Sequence, residues 1–378
     1  MIKSSKLPGW GQSIFAEMTV ISNKYKAINL AQGFPNYDGS AELKELMSKY
    51  IQKGMNQYAP MPGVPKLRKV IARKIEKSYN LTIDPNEEIC IVAGATQGIH
   101  TILDTFIHPG DEVIIIEPAY DSYLPGILLN KGVPVPYRVT APDFRVDWNE
   151  LEKLVSNNTC MIVVNNPHNP TGKIFSTHDL KELTRISAAH DLLVLSDEVY
   201  EHMVFDGKKH VSALEYPELY KRCLTTFSFG KTFHFTGWKC GYVIAPPELM
   251  KEFKKVHQFT VFTVHTPTQY AIAEFLEDPS NYMDLPAFFQ KKRDLLEESL
   301  KGTGFKPIRT EGTYFQIYDY SAISKQQDRV FCNDLVKEKG VALIPLSPFY
   351  SDPPNDMVVR FCFAKTDETL IKAGNALR

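Results

Sequence analysis

The sequence predicts an α/β protein with a mostly parallel β-sheet covered by helices on both faces, and a smaller α+β domain. Seven short apolar runs between residues 89 and 244 are typical of strands, and helical patterns separate most of them. This alternation indicates βαβ crossovers. A chain of 378 residues is longer than one hydrophobic core usually grows, so we expect two domains.

The elements can be predicted in chain order. Residues 1–40 are rich in turns and aromatic side chains and end in a short strand before a Gly-Phe-Pro turn. Amphipathic periodicity predicts helices at 42–53 and 64–79. We expect the seven strands at 89–93, 112–116, 133–137, 161–165, 192–197, 224–227 and 241–244, with helices at 98–106, 149–155 and 177–190.

The C-terminal third has a different pattern. Residues 246–276 are expected to form one long helix. Helices at 287–300 and 328–339 and strands at 312–318, 341–345 and 357–363 indicate a smaller α+β domain. We therefore predict a large domain at 41–279 and a small domain made of 280–378 together with 1–40.

Composition argues against several classes of protein. The net charge is −1, and no basic cluster is interleaved with aromatic residues, so neither nucleic acid nor an anionic membrane is expected as a partner. No apolar run approaches 18 residues, and the N-terminus lacks an export signal. The six scattered cysteines form no CxxC pair and the histidines no HExxH motif, which predicts reduced thiols, a cytoplasmic location and no metal site.

One lysine lies in an unusual setting. The four residues on each side of Lys231 are apolar or uncharged. Such surroundings disfavour an ammonium and lower its pKa, giving a nucleophilic amine suited to forming a Schiff base with an aldehyde. An unusual structural lysine is the alternative.

The turn Gly94-Ala-Thr-Gln-Gly98 follows the first of the seven strands and opens a helix. Free backbone N–H groups at a helix N-terminus form an anion site, most often for phosphate. A plain strand-to-helix turn is an equally good interpretation. A phosphate loop ending at Gly230-Lys231-Thr232 is disfavoured, because its first glycine would stand where Thr225 is found.

Polar residues also follow the next strands. The turn-rich segment from Asn165 to Gly172 can hold the amide of Asn169 in place, although a plain turn explains it equally well. Asp197 ends an apolar run, as a helix cap or as the partner of a buried cation. Tyr200 would share its face if the chain turns helical there.

Arg360 lies inside the apolar run Met357-Val-Val-Arg-Phe-Cys-Phe363. A guanidinium there requires a partner from elsewhere in the fold or a ligand carboxylate, unless it faces water on an edge strand. An amine, a phosphate cradle, an acid, a hydroxyl, an amide and a carboxylate clamp are together what pyridoxal 5′-phosphate and an amino acid would require.

The motifs Asn-Pro-His-Asn-Pro-Thr-Gly, Ser-Asp-Glu-Val-Tyr and Ser-Phe-Gly-Lys-Thr-Phe-His-Phe-Thr-Gly-Trp-Lys-Cys-Gly-Tyr resemble those of class I/II aminotransferases of fold type I. Further segments, among them Gln-Gly-Phe-Pro, Glu-Pro-Ala-Tyr-Asp-Ser-Tyr and Glu-Gly-Thr-Tyr-Phe, are similar to the methionine aminotransferase and kynurenine aminotransferase branch. The resemblance spans essentially the whole chain.

The resemblance implies a role for each matching residue. Lys231 would form the Schiff base and move the substrate proton, and Asp197 would pair with the pyridine nitrogen of the cofactor. Tyr200 and Asn169 would contact the ring oxygen, and Tyr120 would stack on the ring. The phosphate would be held by Ala95, Thr96, Gln97, Ser228 and Lys239.

The resemblance also implies how substrate and partner bind. Arg360, with Asn169 and the backbone at Gly33, would bind the substrate α-carboxylate. Tyr58 would reach the phosphate of a partner subunit, which implies a homodimer. One departure is Lys239, where many family members have arginine, because a lysine offers a point charge without a bidentate fork.

The implied activity is a ping-pong transfer of the α-amino group of a large apolar or aromatic amino acid to a 2-oxo acid. Methionine is the first expected donor, followed by phenylalanine, tyrosine, leucine and kynurenine. A cysteine-S-conjugate or cystathionine β-lyase would use the same cofactor and lysine. A non-catalytic effector-binding domain is less favoured, because regulators on this fold carry an added DNA-binding domain for which 378 residues leave no room.

Overall fold

The computed structural model describes residues 5–378. Its strands form a seven-stranded sheet, a four-stranded sheet and a two-stranded pair. In chain order the strands are β1 (Ile28–Asn29), β2 (Ile89–Val92), β3 (Glu112–Glu117), β4 (Val133–Arg138), β5 (Thr159–Asn165), β6 (Leu193–Asp197), β7 (Cys223–Ser228), β8 (Gly241–Ile244), β9 (Lys306–Ile308), β10 (Phe315–Asp319), β11 (Val341–Ala342), β12 (Ile344–Pro345) and β13 (Val358–Cys362).

Helices alternate with these strands along the chain. They are α1 (Ile14–Tyr25), α2 (Ala41–Gln52), α3 (Pro65–Tyr79), α4 (Ala95–Phe106), α5 (Tyr123–Leu129), α6 (Trp148–Glu152), α7 (Thr177–Ala189), α8 (Pro217–Tyr220), α9 (Phe229–Thr232), α10 (Pro247–Thr260), α11 (Thr266–Phe275), α12 (Ser280–Met283), α13 (Leu285–Ser299), α14 (Asp328–Lys339) and α15 (Asp367–Leu377).

The central sheet has the order β2-β8-β7-β6-β5-β3-β4. The strands from β7 to β4 run parallel, and β8 is antiparallel to both of its neighbours. The inner strands are buried, which explains why they appear in the sequence as continuous apolar runs. The predicted α/β class, with a mostly parallel sheet and a smaller sheet beside it, is confirmed.

Parallel strands place their carboxyl ends at one edge of a sheet. The segments that leave β3, β5, β6 and β7 therefore begin side by side, and α4 follows β2 at the same end, because β2 is antiparallel to β8. This edge holds most of the residues that the sequence predicted to carry chemistry, whereas Arg360 lies in β13 of the smaller sheet.

The smaller sheet is antiparallel, with the order β12-β13-β10-β9. Near it, β1 pairs in parallel with β11, so Ile28 lies opposite Val341 and the N-terminal segment contacts the C-terminal third. The exact division of the chain into 41–279 and 1–40 with 280–378 stays a prediction.

Two expectations about helices were wrong. The expected helix at 246–276 is interrupted, since α10 ends at Thr260 and α11 begins at Thr266. The ring of Pro267 would clash with the carbonyl of residue 263 in a continuous helix. Phe262 has a left-handed φ of 69°, and Thr263 donates to the carbonyl of Ala59. The second error is α1, which lies in a segment expected to consist of turns.

Three further observations concern what the chain can bind. None of the helices within residues 5–378 is long and apolar enough to cross a membrane. In the same residues no group of three or more His, Cys, Asp or Glu side chains could hold a metal ion. All six cysteines are free thiols, five of them buried.

Candidate active site

A cavity of about 230 Å³ opens at the carboxyl edge of the central sheet, between that sheet and the smaller one. Both sheets and the N-terminal segment supply its walls. Eleven of the thirteen residues predicted from the sequence line it: Gly33, Ala95, Thr96, Tyr120, Asn169, Asp197, Tyr200, Ser228, Lys231, Lys239 and Arg360.

Lys231 lies in α9, a single helical turn that follows β7 directly. Its Nζ donates to the hydroxyl of Tyr314 at 2.8 Å and to the carbonyl of Gly33 at 3.3 Å. The rings of Tyr200 and Tyr314 have their centroids 5.7 and 5.4 Å from Nζ. Loss of solvent around the amine lowers the pKa of Lys231 to about 8, so about a tenth of it is a free nucleophile at pH 7, far more than for an ordinary lysine.

Asp197 ends β6 and is buried. Its carboxylate accepts from the hydroxyl of Tyr123 at 2.6 Å and from the backbone N–H of Val199 at 3.3 Å. Burial raises the pKa of Asp197 from 3.8 to about 6 despite these bonds. No ion pair with this carboxylate forms within residues 5–378, so it faces the cavity as an acid without its cation.

Two asparagines connect the loop after β5 to the strand beside it. The backbone N–H of Asn169 donates to Asn165 Oδ1 at 2.6 Å, and Asn165 Nδ2 donates to the carbonyl of Asp197 at 2.8 Å. The loop closes at Gly172, whose carbonyl accepts from the N–H groups of Glu311 and Gly312, each at 2.8 Å. The amide of Asn169 is thereby held between the two sheets.

Arg360 is completely buried in β13, which lies between β12 and β10. Its guanidinium donates to Asn169 Oδ1 at 2.9 Å and to the carbonyl of Ala31 at 3.1 Å, and it lies 3.8 Å above the ring of Phe315. Burial lowers the pKa of Arg360 to about 10. The edge-strand alternative is therefore wrong.

The guanidinium of Arg360 also lacks an anionic partner. Its Nε has no hydrogen-bond partner, and no carboxylate pairs with it in the described part of the chain. A buried cation in this state costs several kcal/mol unless an anion joins it, so the site is built for a ligand carboxylate.

The N-terminus of α4 forms a second anion site. Gly94 occupies the N-cap with a left-handed φ of 81° and offers no side chain to the first helical N–H groups. The amine of Lys239 lies so close that a Cβ on Gly94 would meet Nζ at 3.2 Å. Free N–H groups, the helix dipole and one lysine together favour a phosphate here.

Two predicted cofactor residues do not line the cavity. The side chain of Gln97 accepts from the N–H of Ala93 and donates to Thr101, so it points into the protein. Tyr58 is 80% exposed and packs against the ring of Phe262. Its predicted contact with a partner subunit stays a prediction.

The sequence did not single out several residues that complete the site. Tyr314 contacts the amine of Lys231, Tyr123 contacts Asp197, and Phe315 stacks on Arg360. All three lie in segments that resemble the family, so their positions carried a signal. Their contacts could not be predicted, because each joins segments 45 or more residues apart in the sequence.

Fold and site define a transferase of amino groups, and comparison with known proteins agrees. A model of the family "Aminotransferase class I and II" matches residues 25–377. The chain belongs to this family and is an aminotransferase.

Individual relatives agree with this result. The chain is 43% identical to the methionine aminotransferase of Escherichia coli K12, over 100% of this chain and 98% of that protein. It is 36% identical to kynurenine–oxoglutarate transaminase 3 of Mus musculus, over 99% of this chain and 89% of that protein. The predicted resemblance to this branch is confirmed.

Solved structures give the same result. The crystal structure of an Escherichia coli protein with a methionine aminotransferase function matches with a TM-score of 0.98 and 43% identity, covering 100% of this chain and 99% of that one. N-succinyldiaminopimelate aminotransferase of Mycobacterium tuberculosis matches with a TM-score of 0.96 and 34% identity, covering 100% and 99%. Aminotransferases of this family and fold depend in general on pyridoxal phosphate.

Proposed function

We propose that the cavity binds pyridoxal 5′-phosphate, with Lys231 as the residue that forms a Schiff base with it. The charges of the cavity support this, since Lys231, Lys239 and Arg360 line it together with the single acid Asp197. A phosphate and a substrate carboxylate supply the anions that such a cavity requires. When bound, the cofactor's protonated ring accepts the electron pair left on the substrate α-carbon.

Each residue then has a defined task. Asp197 would hold a proton at the pyridine nitrogen, the cation that its carboxylate otherwise lacks. Tyr200, Asn169 and Tyr120 line the cavity. The first two would donate to the ring oxygen, and Tyr120 would cover the ring face. The first N–H groups of α4, with Ser228 and Lys239, bind the phosphate.

Arg360 orients the substrate by its α-carboxylate, with help from Asn169 and the backbone at Gly33. The amine of Lys231, once free, would remove the proton from the substrate α-carbon and return it at C4′ of the cofactor. Its lowered pKa of about 8 makes it a base near neutral pH.

We further infer that the donor carries a large apolar or aromatic side chain, with methionine preferred before phenylalanine, tyrosine, leucine and kynurenine. The observation that carries this is the composition of the cavity wall. Within residues 5–378, Arg360 is the only arginine that lines it, so this chain offers no second guanidinium for an acidic side chain. Phe15, Phe34 and Phe315 supply apolar surface instead.

A homodimer is proposed as the working form. Tyr58 is 80%, Phe259 87% and Phe262 49% exposed, an aromatic group near the break between α10 and α11. Large exposed aromatic side chains grouped in this way favour burial against a second subunit.

A panel of amino donors against two or three 2-oxo acids tests the substrate proposal. We expect methionine to give the highest kcat/KM and aspartate to be at least about 100-fold poorer, because its side-chain carboxylate would meet no cation. Preference for aspartate or glutamate would contradict the proposal. Pyruvate release from a cysteine conjugate, without a new amino acid, would favour the β-lyase.

Lys231→Ala tests the cofactor proposal. We expect no transamination and a cofactor that dialysis removes, because no other amine in the described chain lines the cavity at a comparable place. Retention of the cofactor is measured by its absorbance in the visible region, recorded before and after dialysis. Substantial retained activity would contradict the assignment.

A further inference from the structure

Tyr314 lies directly before β10 and is completely buried. Its hydroxyl is 2.6 Å from the carbonyl oxygen of Gly33 and 2.8 Å from Lys231 Nζ. A carbonyl oxygen only accepts, so the phenol proton goes to Gly33. The phenol oxygen is therefore free to accept a hydrogen bond from the lysine amine.

The position of this hydroxyl is fixed by packing. The rings of Tyr200, Phe289 and Phe315 surround Tyr314, with centroid distances of 5.2, 5.7 and 4.8 Å. Burial raises the pKa of Tyr314 well above its ordinary value. The group therefore remains a neutral hydroxyl throughout the working pH range.

The carbonyl that receives the phenol proton is fixed as well. It belongs to residues 31–34, a segment whose other carbonyls also accept bonds from cations. Arg360 donates to Ala31 at 3.1 Å, and the buried amine of Lys365 donates to Gln32 at 3.2 Å and to Phe34 at 2.8 Å. Gly33 is thus a fixed point against which Tyr314 can position another group.

We propose that Tyr314 is the positioning residue of the catalytic lysine. Whenever the amine of Lys231 is not covalently engaged, Tyr314 holds it at the edge of the cavity, between its own oxygen and the Gly33 carbonyl. The importance of Tyr314 for turnover rests on the proposed function. The hydrogen bonds that hold the lysine amine do not depend on it.

A free lysine side chain has about 2 kcal/mol of rotamer entropy. An amine that would take a proton from the substrate α-carbon and return it at C4′ of the cofactor has to stay within reach of both carbon atoms. An acceptor oxygen also favours the ammonium over the amine, because hydrogen bonds to charged groups are the stronger ones. Tyr314 therefore restricts the position of Lys231 and helps it keep the proton between removal and return.

The test compares Tyr314→Phe with the matched control Tyr318→Phe. Tyr318 lies in β10, is equally buried, and its hydroxyl has no hydrogen-bond partner. Both changes keep the ring and remove one buried oxygen. Full-length protein stripped of cofactor is labelled with a trace of acetic anhydride from pH 6 to pH 10, and the peptide containing Lys231 is quantified by mass spectrometry.

For Tyr314→Phe we expect labelling of Lys231 at pH 7 to be about fivefold faster than in the unchanged protein, because lowering the pKa of the amine from about 8 to about 7 raises the unprotonated fraction at pH 7 by that factor. Tyr318→Phe should give the profile of the unchanged protein. An unchanged profile in Tyr314→Phe would overturn the proposal, and so would an equal rise in both variants, which would show general loosening.

Near-UV circular dichroism verifies that both variants are folded. Steady-state kinetics on the same proteins separate the two proposals. If the labelling profile of Lys231 shifts in Tyr314→Phe but the unchanged protein transaminates no donor, the positioning role stands and the proposed function is rejected. Normal transamination with an unshifted profile would reject the role of Tyr314 alone. We expect kcat of Tyr314→Phe to fall about tenfold with KM little changed.

Discussion

Asp197 and Arg360 are buried ionisable groups that form no salt bridge in the part of the chain that the structure describes. Each such charge costs several kcal/mol in a folded chain. Both groups line the same cavity, one acidic and one basic. Each is hydrogen-bonded to the protein, and neither is paired with a charged group of opposite sign. This loss of stability is expected at residues whose proposed partners are ligands.

The destabilisation caused by burying Asp197 can be measured from the pH dependence of the free energy of unfolding. Its pKa is raised by burial from 3.8 to about 6, so the folded chain binds this proton more tightly than the unfolded chain. The stabilising contribution is complete below pH 3.8 and is lost as the pH rises through about 6. In the protein stripped of cofactor, Asp197→Asn should be more stable than the unchanged protein at pH 8, by about 3 kcal/mol at most.

Urea unfolding at pH 5 and pH 8 measures this difference. We expect the advantage of Asp197→Asn to shrink at pH 5, because the unchanged protein then carries a neutral acid. A constant difference at both values would show that the carboxyl is not the source. Added cofactor should reverse the order at pH 8, because only the carboxylate pairs with a cationic ring.

Arg360 has a kinetic consequence. Arg360→Ala should raise KM about 100-fold for every amino donor, since the guanidinium binds the carboxylate common to all of them. Arg360→Lys keeps a positive charge but loses the bidentate geometry of the guanidinium, so its KM should lie between those of the unchanged protein and Arg360→Ala. Steady-state kinetics with methionine and phenylalanine provide the measurement. A loss confined to one donor would indicate a side-chain contact instead.

At the scale of elements, the loop from Asn165 to Gly172 joins the two sheets. A Cβ on Gly172 would lie 1.6 Å from Oγ1 of the buried Thr310, and its φ is +70°. Gly207 has a similar φ of +69° but open space around it. Replacing each glycine with alanine therefore distinguishes the cost of a left-handed backbone from the cost of steric crowding.

Gly207→Ala should lose about 1 kcal/mol of stability, the usual cost of a left-handed alanine. Gly172→Ala should lose about 3 kcal/mol, because overpacking adds to the same strain. It should also weaken substrate binding, since Asn169 and Arg360 are bonded to each other across this junction. Urea unfolding and KM for methionine measure both effects, and equal losses of stability would show that Thr310 can move aside.

The elements themselves were predictable where one local rule governs them. The strands of the central sheet other than β4 are largely buried, so they appear as apolar runs in the sequence. The break at residues 261–265 was missed because apolar spacing continues through it, although Pro267 marks the start of a new helix. Helix α1 was missed because the turn-forming residues before it dominated the interpretation of its segment.

The residues of the site likewise include some that the sequence indicated and some that it did not. Lys231, Asp197 and Arg360 stand out because each is a charge within an apolar run. Tyr314, Tyr123 and Phe315 are aromatic residues in buried segments, where aromatic residues are common. Their importance comes from an acceptor or a cation that the fold brings from a distant segment, which no local pattern reveals.

At the scale of the whole molecule, the proposed homodimer predicts complementation. If Tyr58 serves the cavity of its partner, a hybrid of one Lys231→Ala chain and one Tyr58→Ala chain contains one complete site. Co-expression of the two should restore about a quarter of the unchanged activity at limiting cofactor, for random pairing in dimers. Sedimentation velocity confirms the dimer.

The control is a mixture of Lys231→Ala with Arg360→Ala. Both residues line the cavity of their own chain, so neither site of that hybrid is complete and no activity should return. Recovery in the control, or none in the Tyr58 mixture, would contradict a shared site.

The bonds to residues 31–34 also determine when the protein can first act. Lys231 is 198 residues from Gly33, whereas Arg360 is 329 residues from Ala31 and Lys365 is 333 residues from Gln32. A ribosome therefore adds Lys231 long before Tyr314 and Arg360. A nascent or prematurely ended chain would contain the lysine without the hydroxyl that contacts its amine and without the guanidinium proposed to bind the substrate carboxylate, so we expect activity only when synthesis has passed residue 360.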